Sequence, residues 1–126
     1  MLRQRPSERA SWIVHAELFD DQGAIIAVDG DLDLATVSQL EAVIAGMIGS
    51  GHRQLVIDLT GATLLESTAM QLLVTSLEPL LNEPDAAVAL AGRHGGMSRA
   101  LTARGFGTMV PLFGTRAAAI SGVTEP

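Results

Sequence analysis

The sequence predicts an α/β domain with a mixed sheet: an N-terminal antiparallel hairpin, then parallel βα units, packed with about four helices. Three observations predict it. Residues 12–28 hold two strand-like stretches split by turn chemistry, the mark of a hairpin. Residues 55–59 and 86–91 are nearly continuous apolar runs, as in strands covered on both faces. Around them the apolar spacing switches to a helical period. One domain accounts for the chain, because 126 residues that are 48% hydrophobic and only 17% charged can bury a core of their own and are not disordered in bulk. No internal repeat or low-complexity tract interrupts the pattern.

Each element has a local reason. Residues 1–11 read as a polar, flexible arm containing Pro6. Its arginines suggest a transit segment, but Glu8 and the shortness of the stretch argue against one. Residues 12–19 carry Trp12, Ile13, Val14 and Phe19, and Asp20-Asp21-Gln22-Gly23 supplies the turn. Residues 24–28 form the partner strand, closed by loop residues Asp29-Gly30-Asp31-Leu32-Asp33. Val37, Leu40, Ile44, Met47 and Ile48 then line one face of a helix, with Thr36 as its expected N-cap and Gly49-Ser50-Gly51 as its stop.

After the strand at 55–59, a second helix is expected from about Thr68, with Met70, Leu73, Val74 and Leu77 on one face. Pro79 cannot continue that helix without a kink. A turn at 82–85, a strand at 86–91, a short helix at 97–104, a strand at 109–113 and a helical stretch at 115–120 complete the chain.

Composition excludes several functions. There is no cysteine, so disulfides, thiolate metal sites and cysteine nucleophiles are absent. No run of eighteen apolar residues and no secretory signal is present, so a soluble cytoplasmic protein is expected, with no membrane partner. All eight basic residues are arginine, and none lies between Ala10 and His52, against Glu17, Asp20, Asp21, Asp29, Asp31, Asp33 and Glu41. That half of the chain repels phosphate backbones, so nucleic acid is not an expected partner; a basic protein surface fits better. His15, His52 and His94 are scattered without a second ligand at metal-binding spacing. No dinucleotide fingerprint, lysine-bearing phosphate loop or nucleophile elbow occurs, and Gly92-Arg93-His94-Gly95-Gly96 reads as an ordinary strand-to-helix turn. The chain is expected not to be an enzyme and to need no cofactor.

One segment stands out: Asp58-Leu59-Thr60-Gly61-Ala62-Thr63-Leu64-Leu65-Glu66-Ser67-Thr68-Ala69 joins a buried strand to a helix and delivers two adjacent hydroxyls to its first turn. Ser and Thr are preferred N-caps, so a purely structural role is one reading. A cap needs only one hydroxyl, which leaves a second role open.

Gly30-Asp31-Leu32-Asp33-Leu34-Ala35-Thr36, Leu55-Val56-Ile57-Asp58-Leu59, Leu65-Glu66-Ser67-Thr68-Ala69-Met70, and Arg99-Ala100-Leu101-Thr102-Ala103-Arg104-Gly105-Phe106 with Val110-Pro111-Leu112-Phe113 occur in that order. Together they resemble the STAS domain of bacterial anti-sigma factor antagonists, over a domain spanning 12–123. The resemblance implies partner switching. An anti-sigma factor with a kinase-type ATPase fold phosphorylates Thr68, or alternatively Ser67; a phosphatase reverses the modification; only the unphosphorylated form binds the anti-sigma factor and frees a sigma factor for transcription, as in stress responses. Asp31, Asp33, Glu66, Ser67, Thr68, Ala69 and Met70 are the implied partner surface, and a monomer or weak dimer the expected state. Two positions depart from the family motif: Glu66 stands for its aspartate and Ala69 for its glycine, adding a methyl where a partner backbone would approach. The alternative is a STAS scaffold or sensory module that binds without being phosphorylated.

Overall fold

A computed structural model describes residues 14–92 and 110–124. Strand β1 (Val14–Leu18) pairs antiparallel with β2 (Gly23–Leu32), and the turn between them is held by Phe19 N–H on Gly23 O (3.0 Å) and by Gln22 N–H on the Asp20 carboxylate (2.9 Å). Strands β3 (Gln54–Leu65), β4 (Ala87–Ala91) and β5 (Leu112–Phe113) then add in parallel, in the sheet order β1-β2-β3-β4-β5. The described helices are α1 (Leu34–Gly49), α2 (Ser67–Ser76), α3 (Glu78–Leu81) and α4 (Arg116–Thr124). This is the mixed sheet that the hairpin and the apolar runs predict. The expected arm at 1–11 and helix at 97–104 lie outside the described residues, as does the start of the strand expected from residue 109.

Alternation along the strands sorts side chains to two faces. Ile26, Val28, Leu55, Ile57, Leu59 and Leu90 meet Val37, Leu40 and Ile44 of α1 and Met70, Leu73 and Val74 of α2 in the main core. Ile25, Val56, Ala89 and Ala91 face the other way, against Ala119 and Val123 of α4. Full burial of each large aliphatic contributes roughly 1.5–3 kcal/mol, which makes the first face the main source of stability.

Three boundaries differ from expectation. Residues 29–32, expected as loop, continue β2, because Gly30 pairs with Ala62, Asp31 with Leu64 and Leu32 with Leu65. Two register shifts admit this pairing, and Gly30 takes a φ of +112° there, which a side chain would strain. Cross-strand pairing has overridden local turn propensity. For the same reason β3 runs to Leu65 rather than ending near Leu59.

Helix α1 is capped by Asp33, whose carboxylate accepts the Thr36 N–H at 2.9 Å, so Thr36 occupies the third helical position instead of the cap. Both residues are good caps, and the aspartate comes first along the chain. The stop at Gly51 is as expected. Gly51 N–H reaches Ile48 O and His52 N–H reaches Met47 O, both at 3.0 Å, with Gly51 at φ +94° in the left-handed region. Pro79 ends α2 as anticipated, since Leu77 closes α2 and opens the four-residue α3, where the proline sits in the first turn.

Candidate functional site

Parallel neighbours β2 and β3 both end in helices, so α1 and α2 start side by side at the same edge of the sheet. The Leu32–Leu65 pair closes the ladder, and Glu66 N–H donates to Leu32 O at 3.1 Å just beyond it. Carboxyl ends of parallel strands are where α/β folds place their recognition surfaces, because helix N-termini and connecting loops converge there. Asp31, Asp33, Glu66, Ser67 and Thr68, scattered over 38 positions of the sequence, are gathered at this edge.

Their roles differ. Asp31 is exposed and accepts a hydrogen bond from the Thr63 hydroxyl at 2.8 Å, a cross-strand tie between β2 and β3. Asp33 is occupied as the α1 cap. The Thr36 backbone N–H, together with that residue's hydroxyl, holds its carboxyl below the ordinary value of 3.8. Glu66 has the extended backbone of an N-cap (φ −75°, ψ 136°), but its side chain makes no capping bond.

Ser67 and Thr68 therefore fill the first two helical positions of α2, both exposed, and neither hydroxyl has a hydrogen-bond partner among the described residues. The capping reading of the paired hydroxyls does not hold. Ala69 and Met70 lie elsewhere than the sequence suggested: they are 0% and 1% exposed and belong to the core, because they fall on the inward face of α2. As placed, they offer no surface to a partner. The Ala69 methyl, which stands where the family has glycine, points inward and obstructs nothing outside.

Two features escaped sequence reasoning. Asp58 lies mid-strand in β3 on the α4 face, almost wholly buried, and accepts the Thr60 N–H (2.9 Å), the Thr60 hydroxyl (2.7 Å) and Arg116 Nε (2.7 Å). Burial works against its ionisation, but the Thr60 hydrogen bonds and then Arg116 outweigh it and hold its carboxyl below 3.8. Arg116 also donates to Glu17 of β1 at 3.1 Å, tying α4 across the sheet. The partners are 58 residues apart, so no local signal announces the pair. The second is a cleft of about 270 Å³ on that face, lined by His15, Glu17, Ile25, Ala27, Asp29 and Arg116. In it His15 Nε2 lies 3.2 Å from an Asp29 carboxylate oxygen, a partner that sequence spacing did not offer it. No group of three His, Asp or Glu able to hold a metal occurs among the described residues, and no described helix is long and apolar enough to cross a membrane.

The architecture is shared with known proteins. A family model of the STAS domain matches residues 16–119. An anti-sigma factor antagonist from Mycobacterium paratuberculosis superposes with a TM-score of 0.77 at 24% identity, over 89% of this chain and 93% of that one. The anti-sigma factor antagonist SpoIIAA in its unphosphorylated form gives 0.71 at 18% identity (86% and 93%), and the Bacillus cell fate determinant SpoIIAA in its phosphorylated form gives 0.68 at 19% (86% and 96%). At these identities the likeness is one of fold. No curated protein sequence matches the chain. The family match, spanning every described element from β1 into α4, makes this chain a member of the STAS-domain family.

Proposed function

We propose that the chain is an anti-sigma factor antagonist. It binds its anti-sigma factor at the shared edge of β2 and β3 and is switched off by phosphorylation of Thr68. One observation carries the reading: the Thr68 hydroxyl is exposed and unbonded among the described residues, in the first turn of a helix flanked by Asp31 and Glu66. A hydroxyl spent on capping would be a poor acceptor; this one is available. SpoIIAA, which shares the fold, exists in both unphosphorylated and phosphorylated forms.

The chemistry is phosphoryl transfer from ATP to Thr68 Oγ1, with loss of the hydroxyl proton and release of ADP, by an anti-sigma factor of kinase-type ATPase fold. A phosphatase reverses it by hydrolysis. The chain contributes the acceptor and no catalysis. Within the free domain the phosphate sits at the positive end of α2, where it is tolerated. In the complex it must be desolvated beside Asp31 and Glu66. Two charges ~6 Å apart repel by about 3 kcal/mol at an effective dielectric of ~20, roughly a hundredfold in affinity. Release of the anti-sigma factor then returns the sigma factor to inhibition, so the switch regulates transcription in the cytoplasm.

Glu66, one methylene longer than the family's aspartate, favours the second reading of a STAS module that binds without being phosphorylated. Affinity capture from the host with tagged chain, followed by intact mass of the bait, separates them. An ATPase-fold anti-sigma factor with a one-phosphate mass increment supports the switch. The same partner with no increment under any growth condition leaves the unphosphorylated module, and no such partner overturns both.

A further inference from the structure

Three large apolar side chains are well exposed among the described residues: Leu18 (59%), Leu34 (54%) and Leu64 (48%). Two of them frame the candidate site. Leu64 is the ladder partner of Asp31 and precedes the Glu66–Leu32 hydrogen bond on β3; Leu34 follows that bond on the other chain segment, directly after the Asp33 cap. Neither is explained locally. The first helical position favours proline or an acidic or small polar residue, and the open end of a strand asks for a polar one.

Charge at this edge is one-sided. Asp31 and Glu66 are exposed and form no ion pair among the described residues, while the two described arginines are committed elsewhere. Arg53 binds Glu83 at 2.7 Å beside the start of β3, and Arg116 binds Asp58 and Glu17. No described residue brings a cation to these acids, and a partner that covers Leu34 and Leu64 can supply one.

We propose that Leu34 and Leu64 are the apolar anchors of the partner surface, and that the anti-sigma factor meets them with an apolar pocket rimmed by Arg or Lys side chains. This rests on the reading of the chain as an anti-sigma factor antagonist and adds to it residues and a partner chemistry that the hydroxyl motif does not contain. Apolar centre and charged rim divide the work: leucine burial sets how long the complex lasts, and the acids set how fast and with whom it forms. A phosphate on Thr68 then adds about −1.5 to −2 charges beside Asp31 and Glu66, beyond the charge that the partner's rim neutralises, and this excess must be desolvated in the complex.

The test is titration of the anti-sigma factor captured with the chain against the wild type, Leu34→Ser, Leu64→Ser, the double variant, and Leu18→Ser as an equally exposed control at the far end of β1. Each of Leu34→Ser and Leu64→Ser is expected to weaken binding by roughly tenfold and the double variant by roughly a hundredfold, with unchanged melting temperatures and Leu18→Ser binding as wild type. Raising the salt concentration should weaken wild type and the leucine variants alike, and Asp31→Asn less. Wild-type affinity in the double variant, or an equal loss in Leu18→Ser, overturns the anchors while leaving the antagonist reading intact. If wild type binds no anti-sigma factor, both fall.

Discussion

Ser67 and Thr68 open α2 with two exposed hydroxyls. If Ser67 or Thr68 capped the helix, its replacement by alanine would cost 0.5–2 kcal/mol, typically ~1. Because neither hydroxyl is bonded among the described residues, Ser67→Ala and Thr68→Ala should each leave stability within about 0.5 kcal/mol of wild type in denaturant titration. A loss near the capping value would show that a hydroxyl turns inward in solution. Thr68→Asp should likewise fold normally, its charge lying at the positive end of the helix, yet bind the anti-sigma factor more weakly than Thr68→Ala, as read by calorimetry. Asp33 behaves in the opposite way. It already caps α1, so Asp33→Ala lowers the melting temperature even where no partner is present.

At the scale of elements, the sheet and the two helices on its main face act as one unit that positions the site. Ile57 of β3 and Leu73 of α2 are each 0% exposed in that core, so Ile57→Ala and Leu73→Ala should destabilise the fold by roughly 2–5 kcal/mol. Melting curves near wild type would contradict the assigned face of α2 and the assigned strand. The edge of the sheet depends on pairing more than on propensity. Asp29, Gly30 and Asp31 carry turn chemistry, yet their ladder to β3 makes them strand and brings Asp31 alongside Leu64. Helix α4 is held differently, through small side chains and the Asp58–Arg116 pair, whose loss leaves a buried carboxylate with only Thr60 to answer it.

Over the whole molecule, that pair gives the chain an acid sensitivity with a defined sign. Asp58 ionises more readily folded than unfolded, so its contribution is full above its ordinary pKa of 3.8 and is lost as pH falls through the lower folded value; Asp33 acts in the same direction. Wild type should therefore hold its stability down to about pH 5 and lose it below about pH 4, whereas Asp58→Asn should be less stable at neutral pH and change less across the same interval. Identical pH profiles of the two would contradict the coupling. The layer order, the hairpin, the Gly51 stop and the Pro79 break were legible in the sequence, because each is written in periodicity or in residues with restricted backbone angles. Asp31, Ser67 and Thr68 were legible as residues of interest through the motif, but not their surroundings. Whether Thr68 caps a helix depends on where that helix begins, and that is set by the register of β2 on β3. The helical period already set Met70 on one face with Leu73 and Val74, against the surface position that the motif implied, whereas Ala69 has no such mark because its inward turn depends on helical phase. The Asp58–Arg116 pair and the exposure of Leu34 and Leu64 are products of tertiary contact and leave no mark in local pattern.

Whether Thr68 is a free acceptor at a partner surface is decided by phosphate mapping. Purified chain is incubated with the captured anti-sigma factor and ATP, and the product is sequenced by tandem mass spectrometry. One phosphate is expected on Thr68, retained in Ser67→Ala and lost in Thr68→Ala, with loss of the complex as it accumulates. Phosphate on another residue, or a complex that survives full modification of Thr68, would contradict this expectation.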